Sequence, residues 1–154
     1  MASGRPTVGR VAIEYYFQLC STTAPEAIGA LLGPPLTAVE WTAPVSAYKS
    51  AGGLLVTVRS DGAADLVLEE PEIAVGFRFD KFTDFEVQNA EMVRLVVVLL
   101  GAQDGDAVLQ QDFERILLLR RGRELTVSET FWTPELLAQL PSPYERRSMP
   151  YPED

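Results

Sequence analysis

The sequence predicts an α+β domain: a curved antiparallel sheet with one long and two short helices packed mainly on one face. Three observations carry that expectation. Strand-like runs follow one another through tight turns, which pairs neighbouring strands antiparallel. Helix-like stretches are few and do not alternate regularly with strands, so a doubly wound parallel sheet is not expected. The 154 residues are 47% hydrophobic and 23% charged, which suits a single core and argues against global disorder. A folded chain of this length buries about 70% of the surface its unfolded form exposes, enough for a core without a disulfide staple.

Each element has its own warrant. Residues 1–9 read as a loose start. Val11 to Leu19 alternates as a strand, with Val11, Ile13, Tyr15, Phe17 and Leu19 on one face. Thr23-Ala24-Pro25-Glu26 has the spacing of a capping box, with Thr23 as cap. The short helix it opens presents Ile28, Leu31 and Leu32 inward and stops at Gly33-Pro34-Pro35. Leu36 to Trp41 can form a strand, Ala51-Gly52-Gly53 a turn, and Leu54 to Arg59 a strand. Asp61-Gly62 signals a tight turn and Leu66 to Leu68 a weaker strand. Ile73 to Lys81 alternates cleanly, with Ile73, Val75, Phe77 and Phe79 on one face. Thr83-Asp84-Phe85-Glu86 is a second capping box and launches the main helix over residues 84–101. Phe85, Met92, Val93, Val96, Leu99 and Leu100 give that helix a broad apolar face, and Gly101 with Asp104-Gly105-Asp106 ends it. Short strands follow at Ala107–Gln110, Arg115–Arg120 and Glu124–Val127, the last two joined by Arg121-Gly122-Arg123. Thr133 caps a final helical turn with Pro134 at its first position. Pro141, Pro143, Pro150 and Pro152 make the end extended. The expected organisation is a loose start (1–9), one α+β domain (10–140) and a Pro-rich tail (141–154), without internal repeats.

Composition excludes several chemistries. There are 22 acidic and 13 basic side chains, for a net charge of −9. So acidic a chain lacks the electrostatic footprint for nucleic acid and is repelled by an anionic membrane surface. There is no His, and Cys20 is the lone cysteine. His-based triads, His-ligated zinc, disulfides and Cys-cluster metal sites are therefore out, and no cofactor is expected. The longest apolar run, Leu95 to Leu100, is far short of the roughly 20 residues that span a bilayer. The opening Met1-Ala2-Ser3-Gly4-Arg5-Pro6 is polar and unlike a signal peptide, so the cytoplasm is the expected compartment.

Carboxylates are the only plentiful acid–base groups. Glu69, Glu70 and Glu72 lie together, and Asp80, Asp84 and Glu86 cluster at a strand-to-helix junction. A solvated acidic edge and helix-start charges account for both. Counted from Asp104, an EF-hand loop would need ligands at Val108 and Arg115, so Asp104-Gly105-Asp106 reads as a turn. Cys20 lacks a base and reads as a buried small thiol. Ser–Lys chemistry would have to recruit Lys49 or Lys81 without a motif. Arg120-Arg121-Gly122-Arg123 is the one basic cluster and reads as a solvated hairpin tip. The aromatics Tyr15, Tyr16, Phe17, Trp41, Phe77, Phe79, Phe82, Phe85, Phe131 and Trp132 are assigned mostly to core stripes, with Trp132 sealing the sheet end.

Several segments in shared order resemble the Sit-type immunity proteins, small bacterial proteins associated with the toxins of myxobacterial swarming inhibition and related polymorphic toxin systems. They are Ala12-Ile13-Glu14-Tyr15, Phe77 to Phe85, Gly105 to Leu109, Leu117 to Gly122, Phe131-Trp132-Thr133-Pro134-Glu135 and Pro143-Tyr144-Glu145, so the resemblance spans residues 11–150. Residues 34–53 carry none of these motifs. Gln111-Asp112-Phe113-Glu114 stands where an Asn-Gly-type turn is expected, which puts that hairpin in doubt. The resemblance implies non-catalytic neutralisation of a cognate protein toxin in the producing cell.

Elementary electrostatics fits such a role. An acidic inhibitor associates quickly with a basic toxin, and complementary charge suppresses wrong partners. The expected partner-binding patch is Asp65, Glu69, Glu70, Glu72, Asp80 and Asp84. Two other readings compete: a small carboxylate-dependent hydrolase or ligand-binding domain, and an adaptor that self-associates through a sheet edge. Facing acids in a deep pocket would favour the former, and an uncovered apolar strand edge the latter.

Overall fold

The sheet is built outward from its first strand. In the computed structural model, which describes residues 13–33, 36–60, 67–68 and 73–150, the elements run β1 (Glu14–Leu19), α1 (Pro25–Leu32), β2 (Thr37–Val39), β3 (Ser46–Lys49), β4 (Leu55–Ser60), β5 (Ile73–Arg78), α2 (Phe85–Ala102), β6 (Ala107–Gln111), β7 (Arg115–Arg121), β8 (Glu124–Val127), α3 (Pro134–Leu137) and β9 (Glu145–Arg146). They form one open nine-stranded sheet in the order β2-β3-β4-β5-β1-β6-β7-β8-β9. Every pairing is antiparallel except β8 with β9. Both β5 and β6 pair with β1, so α2 carries the chain across the central strand. The α+β class and the antiparallel sheet follow the expectation.

Alternation explains why β1 and β5 hold the centre. Tyr15, Phe17 and Leu19 of β1 and Ile73, Val75 and Phe77 of β5 point to one side and are buried. Against them lie Ile28 and Leu32 of α1 and Met92, Val93, Val96, Leu99 and Leu100 of α2, in one core that also includes Leu109, Leu117 and Val127. A second, smaller cluster covers part of the opposite face: Val67, Leu68, Val108 and Ile116, with half-buried Cys20, Leu119 and Met149 packed on it. Trp132 seals the sheet end as expected, donating from Nε1 to the Leu117 carbonyl at 2.9 Å.

Several local expectations are corrected. Ala24, not Thr23, occupies the cap of α1 and makes no side-chain bond. Thr23 instead donates to Gln103 Oε1 at 3.0 Å, tying the β1–α1 loop to the end of α2. Asp84, not Thr83, caps α2. In both places the residue nearer the helix took the cap position, shifting the box by one. Leu31 faces outward, and its place on the buried side is taken by Gly29, where a Cβ would collide with the Tyr48 hydroxyl. Leu36 to Trp41 shrinks to three paired residues, and β3 was not anticipated. Val67 and Leu68 form no strand but pack as a flap on the sheet. The Asp61-Gly62 turn lies outside the described residues. In the described part of the Pro-rich end, β9, also unforeseen, docks beside β8, with Arg147 N donating to Val127 O at 3.0 Å; Pro152 lies outside the described residues.

The doubtful hairpin forms. β6 and β7 pair from Ala107–Arg120 to Gln111–Arg115 with one irregularity at Leu109/Gln110. Asp112 and Phe113 turn it with φ of 51° and 57°, both in the left-handed region that an Asn-Gly pair would enter without strain. The Phe113 ring stacks on Tyr16 at 4.7 Å between centroids.

Candidate partner-binding site

The corner between β5 and α2 holds two of the anticipated site residues. Asp84 caps the helix, its Oδ1 accepting from Glu86 N at 2.8 Å. Asp80 braces the turn before it, its Oδ1 accepting from Phe82 N at 2.9 Å. Behind them lies Gln88, a fully buried polar side chain on the first turns of α2. Its Oε1 accepts from Asp80 N at 2.7 Å, and its Nε2 donates to Asp80 O at 2.9 Å and Thr83 Oγ1 at 2.8 Å. Thr83 Oγ1 in turn lies 3.0 Å from Gly52 O, to which it donates. Glu91, one turn further along α2, accepts from Ser50 Oγ at 2.6 Å and Gly52 N at 3.0 Å. The corner is thus pinned to both the helix and the β3–β4 turn. From it Phe82 projects with 80% of its surface exposed, and the neighbouring Phe85 and Val87 are partly exposed. The Lys81 ammonium lies 5.4 Å from the Phe82 ring centre. Asp65, Glu69, Glu70 and Glu72 lie outside the described residues.

The helix-free face carries a second surface. Cross-strand register aligns Leu55, Arg78 and Glu14 in one row and Thr57, Gly76 and Tyr16 in the next. With Trp41, Val45, Arg59 and Phe77 they line an open depression of about 330 Å³. Gly76 is needed there, since a Cβ would come within 2.7 Å of Thr57 Oγ1. The Tyr16 hydroxyl donates to Glu14 Oε1 at 3.0 Å; burial first, then this carboxylate, raises its pKa. Asp112, at the same end, is also raised, by burial and then by Glu14 and Glu114.

A larger open cleft, about 770 Å³, lies between the end of α2 and the Pro141–Pro143 segment. Its Arg120 is not a solvated hairpin cation but the terminator of α2: Nη1 donates to Leu100 O at 2.8 Å, Nη2 to Gln103 O and Gly105 O at 2.6 Å each, and Nε to Gly105 O at 3.0 Å. Burial lowers its pKa, opposed by Asp104 and Asp106. Arg121 likewise turns back, donating to Val67 O at 2.8 Å. Among the described residues each of the two clefts is lined by a single carboxylate, Glu14 in one and Asp104 in the other, and no group of three or more His, Cys, Asp or Glu could hold a metal ion. No described helix is long and apolar enough to cross a membrane.

The SitI3-like family matches residues 13–136, from the start of β1 into α3. The chain belongs to the SitI3-like family. This is the Sit-type immunity group that the sequence motifs resemble. Neither a curated protein nor a solved structure matches the chain.

In this SitI3-like protein the sequence motif Phe77 to Phe85 coincides with the pinned corner. Sequence reasoning placed Asp80 and Asp84 there but assigned Phe82 and Trp41 to core stripes, whereas they are 80% and 53% exposed. Parity could have flagged Phe82: the buried residues Ile73, Val75, Phe77 and Phe79 are odd-numbered, and Phe82 falls off that series. Gln88 and Glu91 gave no signal, because a polar residue early in a helix reads as solvent-facing.

Proposed function

We propose that this SitI3-like protein is an immunity protein that neutralises a cognate bacterial toxin by binding it directly, without catalysis, in the cytoplasm of the producing cell. Family membership over residues 13–136 is the observation that carries the reading. The chemistry of the chain is in keeping with it. An inhibitor that occludes a surface needs shape and charge, and a net charge of −9 favours a basic partner. The acidic patch Asp65, Glu69, Glu70, Glu72, Asp80 and Asp84 is the surface we assign to steering that encounter. The sheet-edge adaptor is less favoured: edge strand β2 has three residues and edge strand β9 two, too short to template a second sheet.

The test is whether a neighbouring gene encodes a toxin-like protein, followed by co-expression of that product with this chain. Rescue of growth, together with a complex between the two purified proteins, supports the proposal. Intoxication that continues despite normal accumulation of this protein rejects it. If steering is electrostatic, the association rate constant falls with added salt while dissociation changes little. Equal association rates at low and high salt would remove the charge argument and leave direct binding intact.

A further inference from the structure

We propose that Phe82 is the anchor by which this protein engages its toxin, entering an apolar pocket rimmed by basic side chains. The inference rests on the immunity reading above and identifies the point of contact.

Three observations converge on this ring. It is the most exposed large apolar side chain among the described residues, at 80%. The ring stays in water while Phe17, Phe77 and Phe79 are buried, so its apolar surface adds little to the core and is left open to a partner. The loop that presents it is nevertheless held firmly. The amide of Phe82 itself is bonded to Asp80 Oδ1, and Asp80 and Thr83 on either side are gripped by the buried Gln88 side chain. Fixing a loop in advance removes the ordering cost at the moment of binding, as an anchor residue requires. Finally, Asp80, Asp84 and Glu86 surround the ring in the chain, with Lys81 the one cation between them. An apolar knob with an acidic surround complements an apolar pocket with a basic rim, and buried aromatic anchors of this kind dominate interface energetics. Phe85 and Val87 extend the apolar surface on the same corner.

The experiment takes the toxin from which this protein rescues growth in the co-expression test, purifies it, and measures its binding to wild-type protein and to F82A, F82Y, D84N/E86Q and V39A, with the unfolding midpoint of each recorded. Asn still caps a helix, so D84N removes charge without removing the cap. We expect F82A to weaken Kd by about 30-fold or more, chiefly through faster dissociation, with an unchanged unfolding midpoint. F82Y retains most of the affinity. D84N/E86Q slows association at low salt, and V39A, on the distant edge strand, matches wild type. Binding by F82A within about twofold of wild type overturns the anchor assignment while leaving direct neutralisation in place. Failure of the wild-type protein to bind overturns the immunity reading, and the anchor falls with it.

Discussion

Replacing Gln88 by Leu removes three hydrogen bonds from a fully buried position while nearly conserving volume. Each lost partner has a different fate. Asp80 O keeps Thr83 N at 3.4 Å. Thr83 Oγ1 keeps Gly52 O. The Asp80 amide loses its only bond among the described residues. An unsatisfied buried donor costs about 1–3 kcal/mol, and two weakened acceptors add about 0.5 kcal/mol each. Burying an apolar group in place of an amide offsets part of this. The expected loss is about 2–3 kcal/mol, or about 5–10 °C in Tm for a domain of this size. Urea titrations should show a lower midpoint with an unchanged slope. Hydrogen exchange should accelerate strongly at the Asp80 and Phe82 amides, while the β1 amides should accelerate only by as much as global stability falls. A Q88L protein within about 0.5 kcal/mol of wild type, with unaltered exchange at Asp80, would refute the view that this side chain holds the corner.

Other perturbations follow from the same reasoning. Gly29→Ala drives a methyl into the Tyr48 hydroxyl and should cost about 1–3 kcal/mol; adding Y48F should return part of it, a coupling that a double-mutant cycle in urea measures. Gly105→Ala meets the backbone carbonyl of Cys20, which cannot swing away, so a loss of about 3 kcal/mol or more is expected, read as reduced soluble yield and Tm. Asp112 has its carboxyl raised, first by burial and then by Glu14 and Glu114, so the folded state holds the proton more tightly than the unfolded chain. That contribution is fully present below the ordinary carboxylate range and is lost as pH rises through the raised folded value. At neutral pH the ionised group is a liability. D112N should therefore be more stable than wild type at pH 7, with an advantage that shrinks as the pH of the denaturation series falls through the raised folded value and is gone below the ordinary carboxylate value of about 4.

The elements that sequence made legible are those whose burial is one-sided. β1, β5 and the inner face of α2 alternate or recur with the right period because a single core lies against them. β3 escaped notice because Ser46-Ala47-Tyr48-Lys49 has little apolar content and owes its place to pairing with β4. β9 escaped because its two residues are held by the edge of β8 and by the Arg146 guanidinium on the Ser128, Glu129 and Trp132 carbonyls, contacts that no spacing pattern signals. At the site, charge was visible and architecture was not. Asp80 and Asp84 stand out in the sequence, but their grip on the turn depends on Gln88, whose inward orientation is set by packing that no spacing rule encodes. Arg120 shows the same limit: its position in a basic run suggested solvent, and its geometry closes a helix.

The left-handed pair at Asp112 and Phe113 bears on the order in which the chain folds. Phe in that conformation costs about 1–2 kcal/mol, which an isolated β6–β7 segment can set only against its own ladder and the Glu114 N to Gln111 O bond. Compensation comes from the Tyr16 ring, nearly a hundred positions earlier in the chain, through a stack worth about 0.5–1.5 kcal/mol. A peptide of residues 105–122 should therefore remain unstructured by circular dichroism. In the whole protein that reversal is expected to close late, so mutations at Phe113 should mainly speed unfolding rather than slow folding.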